Sequence, residues 1–352
     1  MRRKILTIAM AACVSLSMLA GCGKTKTDTE VSSAVSAGDV EEAVSAGDVE
    51  EAVSAGDSEE ADILDKDRAG NDITVPENVS AIISMSPSVT EVLIDLGCAD
   101  KVVACDTYSG TSPFATALTE DIPQFDMMTP DSESIIALNP DVVITTGMSY
   151  AGGEDVYAAV RDAGICVADI PSSASVEDIK KDIAFIGALV GADSDAQELI
   201  SKMEETEKVL AEKSAEIADK KKVLYVMSVP TADYPDVYTC GKGTYMDEVF
   251  AMAGCINIAG DIDYQWPAMS EEDIIAADPD VIIVGDTYTE NPVDAIMNIA
   301  QWKDITAIKN CAVYTIDGDA FNQPDHYVMN SACDIAKSVY PEEFEDLENP
   351  FN

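Results

Sequence analysis

Residues 194–219 read SDAQELISKMEETEKVLAEKSAEIAD, a long charged run without a single Gly or Pro. Ala196, Leu199, Met203, Leu210 and Ile217 recur at helical spacing, Ser194 is a capping residue at the start, and Glu204, Glu207 and Lys208 keep the other faces wet. The spacing predicts one helix over the whole stretch. Taken alone it fits an ordinary amphipathic surface helix, but the sequence on either side repeats itself. Upstream, 132–147 reads SESIIALNPDVVITTG; downstream, 270–285 reads SEEDIIAADPDVIIVG. A helix flanked by two copies of one pattern reads as a spine between two similar lobes.

The chain has 352 residues, 47% of them hydrophobic, enough apolar side chain for two ordinary cores. Its formal net charge of −45 argues against nucleic acid and anionic lipid surfaces as partners, since both would repel it. Beyond the N-terminal segment only Arg68 and Arg161 are arginines.

Residues 1–21 read as an address. Arg2, Arg3 and Lys4 precede an apolar run from Ile5 to Ala20 that is short for a bilayer span. The run ends in Leu19-Ala20-Gly21-Cys22, which resembles a bacterial lipobox; the resemblance implies cleavage before Cys22 and lipidation of its sulfur. A noncleaved anchor is the alternative, and either places the body outside the cytoplasm. Residues 22–62 carry AVSAGDVEE at 34–42 and 43–51 and AVSAGDSEE at 52–60. Nine-residue units without a large side chain bury no core, so the segment reads as an acidic, self-repelling disordered linker that spaces the body from the membrane.

From Ile63 onward strands alternate with helices. Strands are expected at 81–84, 101–105, 141–145 and 165–170, with helices at 89–96, 132–137, 154–163 and 176–189. The pattern restarts with strands at 223–227, 281–284 and 312–316 and helices at 245–254 and 293–299. The expected fold class is α/β: two lobes with largely parallel sheets, 63–192 and 221–352, joined by a bridging helix at 193–220, with loops at the strand C-termini facing a cleft.

The motifs Ser84-Met85-Ser86-Pro87-Ser88-Val89-Thr90-Glu91, Asn139-Pro140-Asp141-Val142, Gly241-Lys242-Gly243-Thr244-Tyr245-Met246-Asp247-Glu248, Trp266-Pro267 and Asp278-Pro279-Asp280-Val281 stand in one order along the chain. Together they resemble the solute-binding proteins of ABC importers for iron chelates, haem and cobalamin, over about Ile63 to the C-terminus. The resemblance implies a non-enzymatic, monomeric, lipid-anchored receptor of the helical-backbone class on the outer face of a Gram-positive-type cell surface. It would capture an iron complex (siderophore or haem) or a cobalamin-type ligand between the lobes, with no resident cofactor, and deliver it to a permease dimer with its ATPase. It also implies that Glu91 and Glu248, one per lobe, dock onto permease arginines; without it they read as two exposed helix acids.

Tyr108, Met148, Tyr150, Tyr238, Tyr264, Gln265, Trp266, Tyr288, Asn322 and His326 fall at strand ends and are the cleft candidates. Rings give broad contact at low entropic cost, which suits a macrocycle or chelate, although any one of them would serve equally as core. The scarcity of arginine disfavours strongly anionic siderophores and favours a hydroxamate chelate or a corrinoid. His326, the single histidine, could ligate the metal of a bound cofactor, but one histidine is too few for a bare Zn or Mn site. Seven cysteines outside the leader and Cys22, with no C-x-x-C pair, read as small core residues. Two other readings compete. Gly147-Met148-Ser149-Tyr150-Ala151 approaches a nucleophile elbow, with His326 downstream as in a serine hydrolase, but Ala151 replaces the second Gly and the matching segment of the repeat lacks a nucleophile. An acidic surface adhesin on the same scaffold is the third.

Overall fold

Apolar side chains on both faces of successive strands require cover on both sides, and the fold provides it twice. The computed structural model describes residues 64–147 and 153–351. The leader, Cys22, the acidic repeats and the loop carrying Met148, Ser149 and Tyr150 lie outside the described residues.

The strands β1 (Ile82–Ser84), β2 (Val102–Asp106), β3 (Gln124–Phe125), β4 (Val142–Thr146) and β5 (Cys166–Ile170) form a parallel sheet in the order β3-β2-β1-β4-β5. Further on come β6 (Lys222–Val226), β7 (Val237–Tyr238), β8 (Ile256–Asn257), β9 (Ala268–Met269), β10 (Val281–Val284) and β11 (Val313–Thr315). Of these, β11-β10-β6-β8 form a second parallel sheet, while β7 and β9 pair as a short antiparallel ribbon. The helices are α1 (Pro87–Asp95), α2 (Ser132–Ala137), α3 (Ala158–Asp162), α4 (Val176–Val190), α5 (Asp193–Ser214), α6 (Tyr245–Met252), α7 (Glu271–Ala277), α8 (Pro292–Met297), α9 (Thr306–Lys309), α10 (Gly318–Asn322) and α11 (Val328–Val339).

Strand side chains alternate between faces as the pleat demands. In the first sheet Ile82, Val142, Ile144 and Ala168 enter one apolar core, and Ile83, Ala104, Val143 and Val167 enter another. In the second, Val223, Tyr225, Val281 and Ile283 join that first core, while Leu224, Val226, Ile282 and Val284 fill a third. One core therefore runs continuously from sheet to sheet. It includes Ala196, Leu199, Ile200, Met203 and Leu210 of α5, so this helix is a buried partner of both halves rather than a free-standing rod.

The two copies of the repeat fold alike. Asn139 and Asp278 close α2 and α7 in the left-handed region, at φ 46° and 47°. The prolines that follow forbid further helix. Asp141 accepts the backbone N–H groups of Ser80 and Ala81 just before β1, and Asp280 accepts that of Lys222 at the start of β6, at 2.8–2.9 Å. Each copy thus locks the central strand of its own sheet.

Two expected boundaries shift. α5 stops at Ser214, five residues short of the expected end, because Ile217 must fold over Gly254 (φ +76°), where any Cβ would meet its Cδ1 at 2.6 Å. The helix expected over 154–163 shrinks to Ala158–Asp162, since Asp155 turns the backbone by accepting the N–H of Tyr157. All seven described cysteines are free, and only Cys311 is exposed. Burial pushes the thiols of Cys105 and Cys166 up to about 11 and those of Cys240, Cys255 and Cys333 up to about 12, which keeps them as inert small hydrophobes.

Candidate functional site

Parallel strands bring all their C-terminal ends to one edge of a sheet, and the loops that leave this edge gather the chemistry. Over the first sheet's edge a cavity of about 180 Å³ is lined by Ser86 and Ser88 at the start of α1, Thr146, Ser173, Ile183 of α4 and, from the other half, Pro324. Its lining mixes apolar side chains with the hydroxyls of Ser86 and Ser88, which bond each other at 2.9 Å, and with Asp182, which accepts from Ser173 at 2.7 Å.

Outside the cavity lining, large side chains stand exposed on loops of both halves. Tyr108 follows β2 and is 54% exposed; Tyr288 follows β10 and is 95% exposed. Tyr238 ends β7, and Tyr264 and Trp266 lead into β9; all three are exposed on one ribbon. Gln265 is tied to the Gly243 carbonyl (2.8 Å), and Asn322 accepts from the Tyr225 hydroxyl at 2.7 Å. Met128, beside β3, is also exposed, and the neighbouring Met127 lines the cavity. The sequence reading passed over both methionines.

Positive charge is scarce here. Arg68 is paired with Asp182, and Arg161 with Asp155 and Asp169. Lys242, the single Lys or Arg in the described loops that leave the strand ends, faces Asp263 at 3.5 Å.

His326 is a correction. Its ring is wholly buried, with Nε2 2.7 Å from Asp95 Oδ2, the tilted ring of Tyr327 at 4.4 Å and the edge-on ring of Phe351 at 4.7 Å, so it presents no surface to a ligand. Asp95 belongs to α1 and His326 to the loop entering α11, so the pair stitches the two halves together. It leaves no histidine for the nucleophile-and-base arrangement, and among the described residues no cluster of three His, Cys, Asp or Glu is placed to hold a metal ion.

Glu91 and Glu248 lie along the same seam. Glu91 is half-buried and hydrogen-bonded to Asp325, which is wholly buried. Burial first, then the surrounding acids Asp95, Asp317 and Asp319, push Glu91 up to about 7; burial and Glu91 hold Asp325 well above the usual carboxylate range, so Asp325 keeps its proton and donates to Glu91. On the other side the exposed Glu248 of α6 accepts the Val176 N–H at the start of α4, at 2.8 Å. Each glutamate thus reaches from one half to the other.

A family model described as periplasmic binding protein matches residues 82–320. The chain belongs to the periplasmic binding protein family. As a periplasmic binding protein it is a solute-binding protein and not an enzyme. It is similar to the uncharacterised ABC transporter substrate-binding lipoprotein YvrC of Bacillus subtilis, 30% identical over 281 residues that cover 80% of this chain and 86% of that one. It is also similar to a cobalamin-binding protein of Halobacterium salinarum, at 23% over 79% of this chain and 74% of that one. In fold it resembles the molybdate-bound MolA of Haemophilus influenzae, with a TM-score of 0.68 at 21% identity over 80% of this chain and 93% of that one. The two-sheet periplasmic binding protein architecture accords with that likeness.

Proposed function

We propose that this periplasmic binding protein captures a corrinoid-type ligand outside the cell and hands it to an ABC permease. The observation that carries the ligand class is the pairing of exposed rings at the strand ends of both halves with loops almost devoid of free cations. Broad apolar faces with amide or hydroxyl edges suit such a surface, whereas haem propionates or catecholates would need a guanidinium or ammonium partner. Ser86, Ser88, Thr146 and Ser173 add neutral hydroxyls to the cavity lining. The cobalamin-binding relative supports this reading; a ferric hydroxamate, also broad and weakly charged, is the second.

In the same proposal Cys22 carries the lipid anchor, and 22–62 is the tether. The folded part is a pair of lobes, 63–192 and 221–352, bridged by the segment 193–220. Tyr108, Tyr238, Trp266 and Tyr288, with Met148 and Tyr150, form the ligand contacts. Glu91 and Glu248 dock onto permease arginines, and being on opposite sides of the seam they offer two separated carboxyl groups to a two-fold partner.

Uptake of radiolabelled cyanocobalamin by cells depending on this chain tests the whole reading. Wild type restores uptake; the double variant Glu91→Lys, Glu248→Lys still binds the label in its purified form but imports none; Cys22→Ser is shed into the medium and imports none. Unimpaired uptake by the charge-reversed variant contradicts the docking role, retention of Cys22→Ser on the membrane contradicts the anchor, and failure of wild type to take up the label contradicts the ligand class.

A further inference from the structure

Three loops that leave sheet strands share one construction, which Asp131-Ser132-Glu133-Ser134 also uses to cap α2. Asp106-Thr107-Tyr108-Ser109 leaves β2, Asp126-Met127-Met128-Thr129 leaves β3, and Asp286-Thr287-Tyr288-Thr289 leaves β10. In each the Asp Oδ1 accepts the N–H groups two and three residues on: 2.8 and 3.0 Å at Asp106, 2.8 and 2.9 Å at Asp126, 2.8 and 2.9 Å at Asp286. The hydroxyl three residues on also turns back to the carboxylate, from Ser109, Thr129 and Thr289. The backbone is thereby folded so that the residue at the third position is thrust outward. At all three sites that residue is a large side chain left exposed: Tyr108, Met128 and Tyr288. Exposing such a side chain on a hydrogen-bonded turn forgoes its burial, and doing so twice at the strand ends of the first sheet and once at those of the second points to contact surface.

The turns are themselves anchored. Ser109 bonds Thr90 of α1 at 2.9 Å, and Thr90 bonds Ser84 and the carbonyl of Ser86, a residue of the cavity lining. Asp286 Oδ2 accepts the Val229 N–H at 2.8 Å, fixing the loop after β6 to the loop after β10. Met127, next to Met128, lines the cavity, which places the Asp126 turn at the same site.

We infer that Asp106, Asp126 and Asp286 are positioning residues for ligand capture, each holding one apolar side chain over the strand ends, and that Met128 joins Tyr108 and Tyr288 as a direct contact. This rests on the solute-binding reading above. Preset side chains lose little entropy on binding, so affinity depends on the turns as well as on the rings.

The test is equilibrium titration of the purified protein with cyanocobalamin, hemin and ferrioxamine B as probes. For a probe that wild type binds, Asp126→Ala and Asp286→Ala should each raise the dissociation constant about tenfold, and Asp126→Ala should leave the melting temperature within ~2 °C, because its turn lies at the surface. Asp126→Asn should stay within about threefold of wild type, since the amide oxygen still accepts both N–H groups. Met128→Ala should weaken binding about as much as Asp126→Ala, and the double variant should add little to either. Alanine variants that bind like wild type, or effects at Asp126 and Met128 that add in full, overturn the inference and leave the solute-binding reading standing. If wild type binds none of the three probes, the corrinoid, haem and hydroxamate readings fall, and this inference falls with them.

Discussion

At the scale of single residues, burial separates the cleft candidates that stay exposed from those the fold takes up. Tyr108, Tyr238, Trp266 and Tyr288 are legible in the sequence because each falls between an apolar strand and the next helix, where a ring has no core to enter. His326 has the same local setting, yet it is drawn under α1 by Asp95 and Phe351, partners distant in sequence that no local pattern reveals. The carboxyl–carboxylate pair of Glu91 and Asp325 is equally invisible in the sequence, and it sets a pH dependence. Glu91 has its folded value raised from 4.5 to about 7, so its contribution to stability is fully present below 4.5 and is lost as the pH rises through about 7. Glu91→Gln, which cannot ionise, should therefore melt about 4 °C above wild type at pH 8 and at the same temperature at pH 4. Scanning calorimetry at the two pH values checks this, and a variant that melts lower at pH 8 would contradict the pair.

At the scale of elements, α5 carries the argument. Its helical period and the flanking repeats are readable because both are local, and the repeated Asn139-Pro140-Asp141 and Asp278-Pro279-Asp280 have a physical cause: a left-handed helix end, a stop, and a carboxylate that clamps the neighbouring strand. The helix end was not readable, because Ile217 is claimed by Gly254, whose approach depends on tertiary packing. The two-residue strands β3 and β8 and the β7–β9 ribbon carry too little pattern to be seen in advance. Met203 sits at the centre of α5, fully buried in the core shared by both sheets, while Glu205 beside it is exposed. Met203→Ala should cost about 3 kcal/mol in urea unfolding and Glu205→Ala less than ~0.5 kcal/mol. Equal costs would mean that α5 does not bear on the shared core.

At the scale of the whole molecule, two parallel sheets turn their strand ends to loops rich in rings and poor in free cations, and polar contacts cross the seam between them: Asp95 with His326 and Tyr327, Glu91 with Asp325, and Glu248 with the start of α4. A continuous core and polar contacts at the seam join the two halves, and on the proposed reading they oppose large relative motion. In such a structure recognition rests on a preset surface more than on large closure. The measurement closest to this claim is tryptophan fluorescence, because Trp266 stands exposed at the strand ends while Trp302 is buried. Titrating the Trp302→Phe protein with cyanocobalamin, against free N-acetyltryptophanamide to correct for absorbance, should give saturable one-to-one quenching of Trp266 emission. Emission that falls only as the free fluorophore does, with no saturation, would contradict capture of a corrinoid at this edge.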